Sequence, residues 1–359
     1  MISITVDEVE DIAIGAAVMG TGGGGDPHVG KLVAKQAIEQ HGSVPLLSPD
    51  ELAEDDLVIP TAQMGAPTVS YEKPPGGDEL VKSVKRVESA IGQKAIATMP
   101  IECGGINSTF PIAVAAQMGI PLVDADGMGR AFPELQHETF NIYGVSGTPA
   151  AVADSHGNVC LLDTVDNVSL EWIARGITVR MGGTGYLADY PMTGTQVQET
   201  AIPNTMSLVK DIGEAVRVAD GDVVEAIAEV TAASIYGEAC HLFEGKIVDV
   251  KRRTEAGFVL GHVELEGLGE DRGQTMRIDF QNENLAAKVG DEYRITVPDL
   301  ITVLDRETGD PIPTERLRYG ARVQVLGIPT PEIMRTPAAL EVWGPRTFGI
   351  ETDYRPLNA

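Results

Sequence analysis

The chain has 359 residues, 43% hydrophobic and 22% charged, enough apolar material for a full core and enough length for about two domains. Its formal net charge of −26 excludes nucleic acid and anionic membrane surfaces as partners, since both require basic patches. No apolar stretch approaches the ~20 residues of a transmembrane helix, and Met1-Ile2-Ser3-Ile4 does not resemble a signal peptide, so a cytoplasmic protein is expected.

An apolar run (Ile12, Ile14, Ala16, Ala17, Val18) leads into Met19-Gly20-Thr21-Gly22-Gly23-Gly24-Gly25-Asp26-Pro27. Consecutive glycines allow positive φ at several positions, and the amides of Gly22, Gly23, Gly24 and Gly25 can then turn inward to cradle an anion or a carbonyl oxygen. Residues 29–40 read as a helix, with Asp26 near its start as a cap. The loop lacks the Gly-Lys-Ser/Thr of a phosphate-binding loop and the strand–turn–helix frame of a dinucleotide site, so no nucleotide is expected.

Residues 56–62 form an apolar strand ending in Gln63-Met64-Gly65. A helical spacing over 79–91 follows, with Leu80, Val84, Val87 and Ile91 on one face. A strand over 94–99 ends in Pro100-Ile101-Glu102-Cys103-Gly104-Gly105, a small-residue helix covers 109–118, and a strand over 120–123 runs into Asp124-Ala125-Asp126-Gly127. This alternation predicts an α/β domain with a largely parallel sheet. Ligands in such sheets bind beyond the carboxyl ends of strands, so these loops and the glycine loop are expected to converge on one small-molecule site.

From about residue 160 the pattern changes. Helices over 169–177 and 201–233 precede alternating segments at 245–252, 258–265, 275–280, 292–297, 301–304 and 322–326, which predict a mainly β domain, an antiparallel sheet or small barrel. The expected division is 1–165, carrying the site, and 166–359.

Glu102 is placed to act as general base or to hydrogen-bond a ring N–H; the competing role is a carboxylate that ties loop amides. Cys103 suits nucleophilic attack on an electrophilic carbon if it has thiolate character, and equally suits a buried filler. Asn107 offers donor and acceptor to a cyclic imide, or caps the following helix. Asp124 and Asp126, two positions apart, project to one side of an extended chain; they suit an acid/base pair or a divalent cation, or one of them caps a turn. Met64, Gly65, Gly104 and Gly105 would line the substrate pocket, and Glu134 would reach it. The six histidines and three cysteines (Cys103, Cys160, Cys240) show no local zinc-ligand spacing.

Several motifs in this order resemble a known family: Gly20–Pro27, Met64-Gly65-Ala66-Pro67-Thr68-Val69, Glu72-Lys73, Glu102-Cys103-Gly104-Gly105-Ile106-Asn107 and Val123-Asp124-Ala125-Asp126-Gly127-Met128-Gly129-Arg130-Ala131-Phe132-Pro133-Glu134. The second half adds Gly257-Phe258, Gln281-Asn282-Glu283, Pro298-Asp299-Leu300-Ile301 and Gly344-Pro345-Arg346 with Phe348-Gly349. The set resembles the DUF917 family, named after S-methyl thiohydantoin desulfurase. The resemblance covers nearly the whole chain and implies hydrolysis of an S-alkylated thiohydantoin ring to hydantoin and a thiol. Relatives associated with hydantoinase and oxoprolinase proteins keep open an ATP-assisted ring opening, and a non-catalytic small-molecule-binding subunit is the third alternative. A homo-oligomer is compatible with the sequence, though no interface stripe is diagnostic.

Overall fold

The computed structural model describes residues 2–25, 27–65, 69, 73, 75–255 and 258–357. Asp26 lies outside the described residues, as do Ala66, Pro67, Thr68, Glu72 and Gly257 of the motif set.

The first sheet is built from β1 (Ile2–Ile4), β2 (Val44–Leu47), β3 (Val58–Gly65), β4 (Ala97–Pro100), β5 (Leu122–Val123), β7 (Ala150–Ala153), β8 (Val159–Leu162) and β9 (Thr184–Ala188). Its order is β1-β2-β5-β4-β3-β9-β7-β8. The middle strands β2, β5, β4 and β3 run parallel, as the α/β pattern predicts. Of these, β3, β4 and β5 are buried along nearly their whole length and therefore read as continuous apolar runs. Antiparallel strands extend both edges: β1 on one side, β9, β7 and β8 on the other. A short ribbon pairs β6 (Ala125–Asp126) with β10 (Ile202–Pro203).

The apolar run before the glycine loop is a helix, α1 (Glu8–Met19), and the loop leads into α2 (Pro27–His41). The helix Thr205–Val218 packs on α1 at very short range. A Cβ on Gly15 would lie 1.7 Å from the Val209 carbonyl oxygen, and one on Gly213 would lie 1.7 Å from that of Asp11. Two glycines thus set how closely these backbones approach, and Arg217 pairs with Asp11 beside them (2.6 Å).

The second sheet comprises β11 (Cys240–Glu255), β12 (Phe258–Gly267), β13 (Thr275–Gln281), β14 (Glu283–Val289), β15 (Glu292–Thr296), β16 (Leu300–Asp305) and β17 (Arg322–Ile328). It is antiparallel throughout, in the order β15-β14-β13-β12-β11-β17-β16. The sheet curls until β14 and β15 pack against β16, a half-barrel filled by Phe243, Val263, Ile278, Val303 and Val325. Alternation is clean in β13, where only one face is buried, and is lost in β14 and β16, which are buried on both faces.

The two sheets meet at the glycine loop. Asn284 N donates to Thr21 O (2.8 Å), Thr314 N to Gly22 O (2.8 Å) and the Thr302 hydroxyl to Val18 O (2.7 Å). Arg130, fully buried, spans the seam: its guanidinium donates to Thr21 Oγ1 (2.8 Å), Asn284 O (2.7 Å) and Asp299 O (2.9 Å). No helix among the described residues is long and apolar enough to cross a membrane.

Candidate functional site

The parallel strands β3 and β4 end side by side, and the chain beyond each bends into the same cleft. After β4 comes Glu102, then a 3-10 turn, Gly105–Ser108, which carries Asn107. Gly105 (φ 62°) can lie against the glycine loop only because it has no side chain: a Cβ there would stand 2.2 Å from Gly24 O. The next amide, Ile106 N, donates to that same oxygen (2.9 Å). This contact holds the 3-10 turn in place. Asn107 then accepts from Gln63 N (2.7 Å) and donates to Glu102 Oε1 (2.6 Å), while Phe132 N donates to Glu102 Oε2 (3.2 Å).

A second carboxyl enters from the other sheet. Asn282 turns the chain between β13 and β14 with φ 56°, a left-handed conformation that Asn tolerates, and delivers Glu283 onto the glycine loop. A Cβ on Gly23 would lie 2.1 Å from Glu283 Oε1. The Gly24 amide bonds the carboxyl, and Glu283 Oε2 is buried with no protein partner. Burial pushes the Glu283 pKa up to about 8, with the Arg130 charge opposing the shift. Burial, and then the charge of Glu283, raise Glu102 well above the usual carboxylate range. Two carboxyls so placed do not both ionise at neutral pH; the pair keeps a proton. The donors from Asn107 and Phe132 favour negative charge on Glu102, and the Arg130 charge and the Gly24 amide favour it on Glu283.

The cleft between them has about 80 Å³ of free interior. Gly24, Gly25, Met64, Gly65, Glu102 and Asn107 line it, all of them expected from the sequence, and Glu134 stands at its edge with Arg175. Gly22 and Gly23 line a separate recess on the far side of the loop with His28 and Lys31. Gly104 serves packing: a Cβ there would lie 2.7 Å from the Gly20 Cα.

Cys103 is outside the cleft lining. Its thiol is fully buried beside the Tyr236 hydroxyl, and burial raises its pKa well above the ordinary thiol value, the opposite of what a nucleophile needs. Asp124 and Asp126 are likewise apart from the cleft and from each other. The strand breaks between β5 and β6, so the extended geometry that would aim both carboxylates to one side is lost. Asp124 accepts from Ser207 N (2.9 Å) and from its hydroxyl, at the start of the helix Thr205–Val218. Asp126 accepts from the amides of Cys103 (2.9 Å), Met128 (3.0 Å) and Gly129 (2.7 Å), and burial lifts its pKa to about 6. Both carboxylates hold backbone in place. Among the described residues, the group spaced to ligate a metal is Asp249, His262 and Glu264 on the second sheet, away from the cleft.

Sequence reasoning assigned no role to Glu283 or Arg175. The signal was the polar triplet Gln281-Asn282-Glu283 interrupting an alternating pattern, but nothing local says which loop such a turn will meet.

Residues 7–164 match the family described as S-Me-THD-like, N-terminal domain, and residues 165–357 match S-Me-THD-like, C-terminal domain. No curated protein matches the chain. A solved structure described as a protein from Chromobacterium violaceum aligns over 100% of both chains, with a TM-score of 0.81 and 23% identity. That likeness shows a shared fold.

Proposed function

The chain belongs to the S-Me-THD-like family, and from that premise we propose that its cleft hydrolyses a small nitrogen-containing ring, an S-alkyl thiohydantoin or a hydantoin, at the Glu102–Glu283 pair. The observation that carries this reading is Glu283 itself. It is a buried carboxyl with one oxygen unpartnered, set in the same narrow cleft as a second carboxyl of raised pKa. Paired titratable groups with perturbed pKa values in a cleft are the signature of acid–base chemistry. A free interior of about 80 Å³ suits one small planar ring.

With an S-alkyl thiohydantoin, whichever carboxyl of the pair is ionised takes a proton from water as the water oxygen bonds to the ring carbon that bears sulfur. The other carboxyl gives its proton to the adjacent ring nitrogen, and the C=N bond becomes a C–N single bond. In the second step the new hydroxyl returns a proton to that donor as the carbonyl forms. The C–S bond breaks, and the sulfur leaves with the proton taken from water. Hydantoin and a thiol are released with both carboxyls restored. The Gly24 amide is engaged by Glu283, which leaves Gly25, also at the cleft wall, to meet the oxygen on which charge develops.

The test is thiol release from S-methyl thiohydantoin by the wild-type protein and by Glu102→Gln and Glu283→Gln, with and without a chelator. Release that falls at least 100-fold in both variants and survives chelation supports the proposal. Unchanged release in Glu283→Gln overturns it, and no release from wild-type protein that binds the ring favours a non-catalytic binding subunit.

A further inference from the structure

Glu134 and Arg175 form one wall of the cleft. Both side chains also border a wider, open groove of about 1020 Å³ along the helix Asn167–Arg180. Within it Val168, Trp172 and Val179 are 62%, 79% and 62% exposed. Spaced four and then seven residues apart, they share one side of the helix. A contiguous exposed apolar patch is a mark of a binding surface. Phe258, at the start of β12, forms a further wall, its ring 4.6 Å from the Arg175 guanidinium. Arg175 is also held by Glu171 and by Pro133 O (3.0 Å). It is a fixed post between cleft and groove.

We infer that this groove is the subsite for an apolar, aromatic substituent carried by the ring bound in the cleft, so that the preferred substrates bear a bulky hydrocarbon arm. The identity of the ring rests on the hydrolase reading above; the groove does not. Three features favour this occupant. The groove shares the Glu134–Arg175 wall with the cleft, so an arm on a ring seated against Glu102 and Glu283 has only that wall to pass to reach it. Trp172 and Phe258 supply flat faces for an aromatic arm. A second copy of the chain, the other candidate, would bring together two molecules of net charge −26, and like charges oppose that pairing.

The experiment compares binding of two hydantoins, one unsubstituted and one carrying a benzyl group on the ring carbon, to the wild-type protein, Trp172→Ala and Phe258→Ala. Calorimetry reads affinity. Tryptophan fluorescence reads the groove directly, because the other tryptophan, Trp343, is fully buried. The benzyl compound is expected to bind roughly tenfold tighter or better to wild type. That preference should vanish in Trp172→Ala and shrink in Phe258→Ala, with affinity for the unsubstituted ring unchanged. Equal affinities in wild type overturn the inference, as does an equal loss for both ligands. It is also overturned if Trp172→Ala changes only the sedimentation behaviour, which would assign the groove to self-association. Because binding is the readout, a protein that releases no thiol but keeps the benzyl preference supports the groove while removing the hydrolase reading.

Discussion

The carboxyl of Glu283 stands where the side chain of Gly23 would be, its Oε1 only 2.1 Å from the position of a Cβ there. The residue that the second sheet contributes to the cleft is therefore seated by the absence of a side chain in the first.

Gly23→Ala should leave the fold intact and displace Glu283. The new methyl would also crowd Glu283 Cγ at 2.5 Å, so the carboxyl has to shift bodily. Misplacement by about 1 Å costs on the order of 100-fold in rate. Thiol release measured beside far-ultraviolet circular dichroism checks this, and full activity in a folded variant would show that Glu283 need not be seated there.

Stability should fall as pH rises across a defined window. Glu283 is raised in the folded state from 4.5 to about 8. Between those values the folded chain holds a proton that the unfolded chain has released. Folding is thus favoured at the acid end, and its stability declines until the pH passes about 8. Urea unfolding between pH 5 and 9 measures the slope. Glu283→Gln should lessen it, leaving the share of the other buried carboxyls, and the same proton should make thiol release decline above about pH 8.

Glu138 and Asp189 are both fully buried, and none of their four carboxyl oxygens has a protein partner. Burial and then the neighbouring acidic groups hold both well above the usual carboxylate range: Asp189 acts on Glu138, and Glu171 acts on Asp189. Asp189→Asn removes one charge and supplies a donor to its surroundings. It should raise stability at pH 8 by about 1–3 kcal/mol and by less at pH 5, where protonation already relieves the pair. A destabilised variant at pH 8 would contradict this account.

Arg130→Met should be among the most damaging single changes. It strips donors from Thr21, Asn284, Pro298 and Asp299 at once and removes the charge that opposes the rise at Glu283. A loss of about 3–5 kcal/mol is expected, read from denaturant midpoints, with the Glu283 titration moving further upward.

Cys103→Ser should keep most of its catalytic rate. The thiol is buried, raised in pKa and outside the cleft lining. An abolished rate in a stable Cys103→Ser protein would restore the nucleophile reading.

Much of this could be read from the sequence alone. Parallel strands buried on both faces give apolar runs, so β3 and β4 and the loops that follow them were legible. The half-barrel declared itself because one wet face imposes alternation, as in β12 and β13. Glu102, Asn107 and the glycine loop stood out as polar or glycine residues at strand ends. Cys103 and the Asp124/Asp126 pair lie outside the cleft lining for a reason that is also physical: residue type and spacing do not encode burial, and a break between two short strands turned the two carboxylates onto different backbones. The antiparallel edge formed by β9, β7 and β8 was hidden because its partners are remote in sequence. Glu283 was hidden for the same reason. Local propensity and periodicity act over a few residues and were enough to specify the elements and one wall of the cleft. The second carboxyl is brought there by packing between residues 260 positions apart (Gly23 and Glu283), and only the folded chain decides such a contact.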